Sequence, residues 1–343
     1  MTRRNFLLYF QSMSILDILI PAAQAHEKWF VATPAAYVQP AWYRTPNVWT
    51  IGCGVVVALL VIAGVIVDRW YEKSGLYKKW ENKIRPLRDY GAGVLAMSTS
   101  IMLLYNALRG TLFASNFVLG HGLLGSALRI IEGGAAVLLL IGLYTPLAAA
   151  TIIALFVPLL LLYKLPAQLE LVNLFGIGAF LFFFAQGQYS LDWFLGKSIQ
   201  STLRQRKIAY FFLRVTLGIA ILALAFWNKW LDPGYHLALM DRFSQMNPYV
   251  LLAHTGIFHL TREQYIFLLF SVEMVVGLFE LLGIFTRVVS LLLVPIFSAS
   301  VIFLPPQELI GHLPILGTLF VLFVFGDTYH KGRASQEDQK IPA

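Results

Sequence analysis

The sequence predicts an all-α, polytopic membrane protein with about nine transmembrane helices: one N-terminal span, then two four-helix bundles in tandem. Its 343 residues are 58% hydrophobic and only 13% charged, whereas roughly 25% of the residues of a soluble domain are charged. Several nearly uncharged runs reach the roughly 18 residues that a helix needs to cross a bilayer. These runs lack the alternation typical of barrel strands, so helices must satisfy the backbone.

A segment that occurs twice predicts the tandem arrangement. Residues 132–146 read EGGAAVLLLIGLYTP, and residues 273–287, 141 positions later, read EMVVGLFELLGIFTR. The same offset aligns Glu132 with Glu273, Gly142 with Gly283 and Thr145 with Thr286. We therefore expect two homologous four-helix units.

Residues 1–25 have the order of a secretory signal peptide: a basic start, an apolar stretch and an Ala-x-Ala site. An uncleaved signal anchor is the alternative, and both place the segment 26–47 outside the cytoplasm. Cleavage after Ala25 would leave His26 with a free α-amino group, and that amine and the imidazole together can chelate Cu(II). The competing interpretation is an exported stretch whose aromatic residues pack at the membrane interface.

The rest of the chain alternates apolar spans with basic loops. A single span at 48–67 precedes a basic connector at 68–86, which is either a helix along the inner surface or a solvated linker. The first repeat, 87–190, has spans at 88–112, 123–143, 146–163 and 169–188; the second, 209–328, has spans at 209–228, 264–284, 287–304 and 309–327. The positive-inside rule places the connector, the basic linker 191–208 and the tail 329–343 in the cytoplasm.

The second repeat carries an outer-face insertion, residues 229–262, that is too apolar for a free loop. We expect a pair of short helices that caps the cavity between the bundles. Six of the seven histidines fall on this predicted outer side: His26, His121, His236, His254, His259 and His312. They indicate either a metal or proton-coupled site, or scattered interface residues, since no pair has the spacing of a known zinc motif.

The candidate chemistry lies in acids within the spans. Glu132 and Glu273 occupy one register of the two repeats, and ionisable residues inside a membrane often mark proton or substrate paths. Arg129 is three residues before Glu132, close enough to pair with it on one helix face. Glu280 shares a face with Glu273. The alternative for all four is a buried pair or hydrogen bond that fixes helix register.

Other chemistries are excluded by what the sequence lacks. Cys53 is the only cysteine, so an internal disulfide or a CxxC redox pair is impossible. No Gly-rich phosphate loop or nucleophile motif is present. The net charge of +8 comes from basic loops beside spans, which the positive-inside rule explains without nucleic acid.

Several of these motifs together make the chain similar to the DoxX/DoxD family of membrane proteins. They are Leu87-Arg88 and Leu213-Arg214 before the two repeats, Glu132 and Glu273, the Gly-x-x-Thr turns after them, Asn228-Lys229, and the exported segment from His26 to Phe30. The resemblance implies four-helix bundles in the bacterial cytoplasmic membrane, with some members serving as subunits of thiosulfate:quinone oxidoreductase. By position it carries over Glu132 and Glu273 as buried acids, and Arg88, Arg214 and Lys229 as basic residues.

The resemblance leads to the expectation of an inner-membrane subunit of a quinone-linked oxidoreductase. In this hypothesis Glu132 and Glu273 handle the quinone headgroup or its protons, and a redox partner supplies the electrons, because the chain has no cofactor motif of its own. Three alternatives stay open: a proton-coupled carrier or channel for a small solute, a copper-handling protein that uses His26, and a non-catalytic assembly subunit.

Overall fold

The computed structural model describes residues 47–163, 165–184, 187, 190–197, 201–242, 261–303 and 306–326. Within these ranges the chain is helical and contains no β-strand beyond one isolated bridge. The helices are α1 Val48–Lys73, α2 Gly75–Ile84, α3 Arg88–Arg109, α4 Leu123–Ile141, α5 Thr145–Leu162, α6 Leu165–Glu170, α7 Val172–Phe184, α8 Leu191–Phe194, α9 Leu203–Ala225, α10 Gly234–Arg242, α11 Arg262–Leu282, α12 Thr286–Phe303 and α13 Pro306–Phe325. The predicted leader 1–25, His26, His254, His259 and the tail 329–343 lie outside the described residues.

Six helical stretches are long and apolar enough to cross a membrane: Val48–Lys73, Tyr77–Arg109, Leu123–Ile141, Thr145–Leu162, Leu203–Leu231 and Arg262–Leu282. Three shorter apolar helices accompany them: Val172–Phe184, Thr286–Ser298 and Leu309–Phe325. The prediction of an all-α, multi-pass membrane protein is therefore confirmed. Helix boundaries agree with the predicted spans to within a few residues at most ends, and the connector 68–86 contains a helix, α2.

The turns that follow α4 and α11 are built alike. Gly142 and Gly283 end these helices in the left-handed region, with φ of 68° and 74°, which glycine adopts without a Cβ clash. Two residues later Tyr144 and Phe285 also have positive φ, 49° and 50°. Asp192 caps the first turn: its carboxylate accepts hydrogen bonds from the backbone N–H groups of Tyr144 at 2.8 Å and Thr145 at 2.9 Å.

A different carboxylate caps the second turn. Asp68, near the end of α1, accepts a hydrogen bond from the N–H of Phe285 at 3.1 Å. Each turn is thus held by an acid that lies outside its own helix pair. An anion at a helix N-terminus is also favoured by the helix dipole, so both α5 and α12 begin at a stabilised position.

Eight helices form a closed ring. Neighbours along the chain pack in the order α3, α4, α5, α7 and then α9, α11, α12, α13. The ring closes where α7 packs on α9 and α13 packs on α3, and these two interfaces are the most extensive in the protein together with that of α9 and α11. We call α3, α4, α5 and α7 the first half, and α9, α11, α12 and α13 the second half.

This ring differs from the expected pair of separate four-helix bundles. In a separate bundle the first and last helices of a half would pack on each other, but α3 meets α7, and α9 meets α13, only slightly. Each last helix instead packs on the first helix of the other half. Small residues allow this packing of the last helix on the other half. Gly176 on α7 lies so close to α9 that a Cβ there would be 2.9 Å from the carbonyl oxygen of Phe212.

The helix α1 lies outside the ring. Among the ring helices it packs mainly on α11, and a Cβ at Gly64 would come within 2.6 Å of the Phe279 ring. Most of its other apolar side chains are exposed, including Ile62 and Ile66. Exposed aliphatic side chains around a helix of this length are expected to face lipid.

Close packing of α9 on α11 leads to a first prediction. A Cβ at Gly218 would lie 2.8 Å from the backbone N of Leu281 and 2.9 Å from the carbonyl oxygen of Gly277. Because both atoms belong to backbone, Gly218→Ala should destabilise the protein by about 1–3 kcal/mol through overpacking. Gly134→Ala is the matched control, since a Cβ there meets nothing within 4 Å. Thermal unfolding in detergent measures both, and equal melting temperatures would contradict the packing described.

Candidate functional site

A cavity lies inside the ring, between the two halves. It is bounded by the C-terminal half of α9, the N-terminal part of α13, the start of α7 and the loop after α3. Its lining residues include Met102, Phe113, Phe117, Leu174, Leu217, Ile221, Leu224, Phe297 and Ile315. Its volume is about 80 Å³. We call this cavity the slot.

Four polar side chains also line this slot: Asn116, Glu170, Asn173 and His312. Asn173 is 5% exposed, and its amide nitrogen donates a hydrogen bond of 3.4 Å to the hydroxyl of Thr318 on α13. Its carbonyl oxygen is buried and has no hydrogen-bond partner among the described residues. Because an unsatisfied buried polar atom is unfavourable, this oxygen is the strongest indication that a ligand or water completes the site.

His312 lies on the second turn of α13. It is 6% exposed, and its ring packs edge-on against Phe297 with 4.9 Å between the ring centroids. Imidazole can donate a hydrogen bond and can titrate near neutral pH. The slot thus combines apolar walls with a few groups that can hold or protonate a ligand oxygen.

The loop after α3 forms one wall, and Glu132 holds this wall in place. Phe113 has a φ of 63°, which is unfavourable for a residue with a side chain. Its N–H donates a 2.8 Å hydrogen bond to Oε1 of Glu132, whose side chain is fully buried. The backbone carbonyl of Phe113 accepts a hydrogen bond of 3.0 Å from the side-chain amide of Asn106. Glu132 therefore fixes a strained residue of the cavity wall and does not itself line the cavity.

The far end of this loop is tied to α5. Tyr163, just beyond the helix, donates a hydrogen bond of 3.3 Å to the carbonyl of Val118, and its ring packs on Phe117 with centroids 4.5 Å apart. These two contacts hold the end of the loop against the end of α5.

Glu273 has a different environment from Glu132. Its carboxylate forms an ion pair with Nζ of Lys229 at 2.9 Å, and about a third of its side chain is exposed. Lys229 belongs to a π-helical turn, Phe226–Leu231, that continues α9. In the same turn, Asn228 is 1% exposed and neither of its amide atoms has a hydrogen-bond partner among the described residues. The structure therefore brings Lys229 and Glu273 together, as a pair between α9 and α11.

Glu280 and Arg129 occupy two further places. Glu280 is fully buried in the last turns of α11, where the guanidinium of Arg214 donates to the backbone carbonyls of Glu280 and Leu281. Arg129 does not pair with Glu132: it donates a 3.1 Å hydrogen bond from Nε to the carbonyl of Ala107. The expected pairing fails because Glu132 points into the core towards Phe113, whereas Arg129 lies half-buried at the ring surface.

No family model, curated protein or solved structure matches this chain. The likeness to the DoxX/DoxD family therefore stays a prediction from its short motifs. Within the described ranges, no group of three or more His, Cys, Asp or Glu side chains could hold a metal ion, and the predicted copper ligand His26 lies outside those ranges.

The sequence singled out the acids in the spans and missed the residues that line the slot. His312 was noted only as one of several outer histidines, and Glu170 and Asn173 were not selected at all. A signal was available, because Asn173 is a polar residue in the otherwise apolar helix α7. What the sequence could not show is that α7 faces α9 and α13 across the ring.

Proposed function

We propose that the slot binds the ring of a quinone, and that the protein is the membrane subunit of a quinone-linked oxidoreductase. The lining of the slot carries the proposal. It is mostly apolar, and polar side chains occur at only a few points. An apolar ring with two carbonyl oxygens suits such a lining better than a hydrated solute does. Ligand sites of this kind typically combine apolar walls with a few polar groups that fix orientation.

The polar side chains have separate parts in this proposal. The amide nitrogen of Asn173 and the imidazole of His312 can donate hydrogen bonds to a quinone carbonyl, and the carbonyl oxygen of Asn173 can accept one from a hydroxyl of the quinol. Reduction to the quinol takes two electrons and two protons; the carboxyl of Glu170 and the imidazole of His312 are the nearest groups that can pass protons to the oxygens. Electrons come from a partner reductase, which binds its own cofactor.

Glu132 acts as a positioning residue in this proposal. It holds Phe113, and through it the wall of the slot, so its effect on the ligand is indirect. Glu273 and Lys229 form an ion pair at the end of α9, whose inner face supplies Leu217, Ile221 and Leu224 to the slot. This pair fixes the register of α9 against α11.

The topology that we propose has nine spans. The six long apolar helices and the three shorter ones supply this number. The matching turns after α4 and α11 support an origin of the two halves from one repeated DoxX-type unit. With basic loops on the cytoplasmic side of a bacterial inner membrane, the slot lies in the outer half of the bilayer, and the C-terminus is cytoplasmic.

Removing the Asn173 amide tests the proposal. Asn173→Leu keeps the branching of the side chain at Cγ but removes its donor and acceptor, so the Kd for a decyl-benzoquinone should rise about tenfold, equivalent to about 1.4 kcal/mol. Asn82→Leu on the exposed face of α2 is the matched control and should bind as the wild type does. Isothermal titration in detergent and extraction of co-purified quinone measure the effect. Equal affinities in the two variants, or a wild type that holds no quinone, would refute the assignment.

A small-solute carrier is the second candidate, and the position of the slot favours it. Repeat-built transporters bind their substrate between their two halves, and this slot lies between the halves of the ring. Proteoliposomes that accumulate a solute with protons, in the absence of any quinone binding, would support the carrier and rule out the oxidoreductase subunit.

A further inference from the structure

A second concave site lies on the outer surface of the ring, between α3 and α4. This groove has a volume of about 780 Å³ and is lined by Leu104, Ala107, Leu108, Ser126, Arg129, Ile130, Gly133, Gly134, Val137 and Leu138. Leu108 and Ile130 are each 74% exposed. The groove is separate from the slot inside the ring, and none of its lining residues belongs to that slot.

The groove is open over Gly133 and Gly134 because glycine has no side chain. A Cβ at Gly133 would lie 3.5 Å from Cβ of Ala107, an ordinary van der Waals distance, and a Cβ at Gly134 would meet nothing within 4 Å. From Arg129 to Val137 the groove follows α4 for about 12 Å, at 1.5 Å per residue. An acyl chain can lie along such an apolar channel.

One end of the groove holds an arginine. Nε of Arg129 donates to the carbonyl of Ala107 at 3.1 Å, which fixes the guanidinium at the end of α3. Its two terminal nitrogens have no hydrogen-bond or ion-pair partner in the part of the chain that the structure describes. A guanidinium beside hydrocarbon is unfavourable without an anion, and its two terminal N–H groups match two phosphate oxygens.

We propose that this groove binds an anionic phospholipid, with the phosphate on Arg129 and one acyl chain over Gly133 and Gly134. Charge complementarity selects this occupant. A helix from a second copy or a partner would have to supply a carboxylate at the same depth, whereas a lipid phosphate lies at the surface next to the acyl chains. The proposal is independent of quinone binding.

Native mass spectrometry of the full chain in mixed micelles tests this site, with phosphatidylglycerol and phosphatidylcholine as probes. The wild type should retain phosphatidylglycerol about tenfold more tightly than phosphatidylcholine. Arg129→Gln should remove this preference. Gly134→Leu should reduce retention of both lipids, because the new side chain occupies the groove, and its Cβ meets no protein atom within 4 Å. Thermal unfolding shows whether the variants are folded.

The matched control is Arg109→Gln, which removes the same charge. Arg109 lies outside the groove and packs over the ring of Tyr105 at 5.6 Å. The Arg109→Gln variant should retain phosphatidylglycerol as tightly as the wild type does. Equal losses in the two arginine variants would reduce the effect to general surface charge and overturn the proposal. A wild-type dimer that Gly134→Leu converts to a monomer would show a helix in the groove, and would also overturn it.

Discussion

Glu81→Gln should destabilise the protein by about 3–5 kcal/mol. Glu81 on α2 bridges two arginines that are nearly buried, Arg88 at the start of α3 and Arg287 at the start of α12. The Nε groups of these arginines donate, each at 3.1 Å, to the carbonyls of Val324 and Phe323 at the end of α13. Removing the carboxylate leaves two cations in a poorly hydrated place.

Unfolding in detergent, followed by heat or by titration with SDS, measures this loss. Glu263→Gln is the matched control, since Glu263 lies in the first turn of α11 and makes no ion pair with another described residue. Glu263→Gln should lower the free energy of unfolding by less than about 1 kcal/mol, because it removes only an interaction with the helix dipole. Similar stabilities of the two variants would mean that Glu81 is not the anion that compensates both arginines.

Glu132→Ala should destabilise by about 3–5 kcal/mol and also weaken quinone binding. The substitution leaves the buried N–H of Phe113 without an acceptor, which costs about 1–3 kcal/mol of stability. It also opens a cavity in the core, which destabilises the protein further. Because Phe113 has a left-handed backbone, the wall of the slot would relax once this hydrogen bond is gone. Thermal unfolding and quinone titration on the same sample measure the two effects.

Glu132→Gln distinguishes two possible roles of this acid, positioning the loop and carrying protons. The amide oxygen of Gln can still accept from the N–H of Phe113, so a positioning residue predicts nearly normal stability and quinone binding, and normal turnover in a reconstituted complex. A residue that carries protons predicts normal stability but a loss of turnover of a hundredfold or more. The second result would return Glu132 to the catalytic part that its position in a span first suggested.

The positions of the helices were predictable because each one has its own signal. The apolar runs and the glycines after α4 and α11 mark where the spans end. Order around the ring had no comparable signal, since contact between α7 and α9 depends on small residues such as Gly176 and Thr216 that also occur elsewhere. The expectation of separate bundles followed from the order of the repeats in the chain, which does not determine packing in space.

The site was harder to predict than the fold, for a physical reason. Acids within apolar runs are conspicuous, so Glu132 and Glu273 were selected first, although one holds a loop and the other pairs with a lysine. Residues near helix ends, such as His312 and Asn173, look like ordinary interface residues until the ring places them in one slot. The shared ion pair of Arg88 and Arg287 had no signal in the sequence, because Glu81 joins them from a helix that precedes both halves.

The two seams of the ring are the same kind of joint made twice, α7 on α9 and α13 on α3. Two-fold symmetry produces this arrangement whenever a unit packs its last helix on the first helix of a partner. A chain with only one of the two halves would thus need a second copy of itself to close such a ring. Because both halves here belong to one chain, they need not be alike: Glu132 holds a loop, and Glu273 pairs with a lysine.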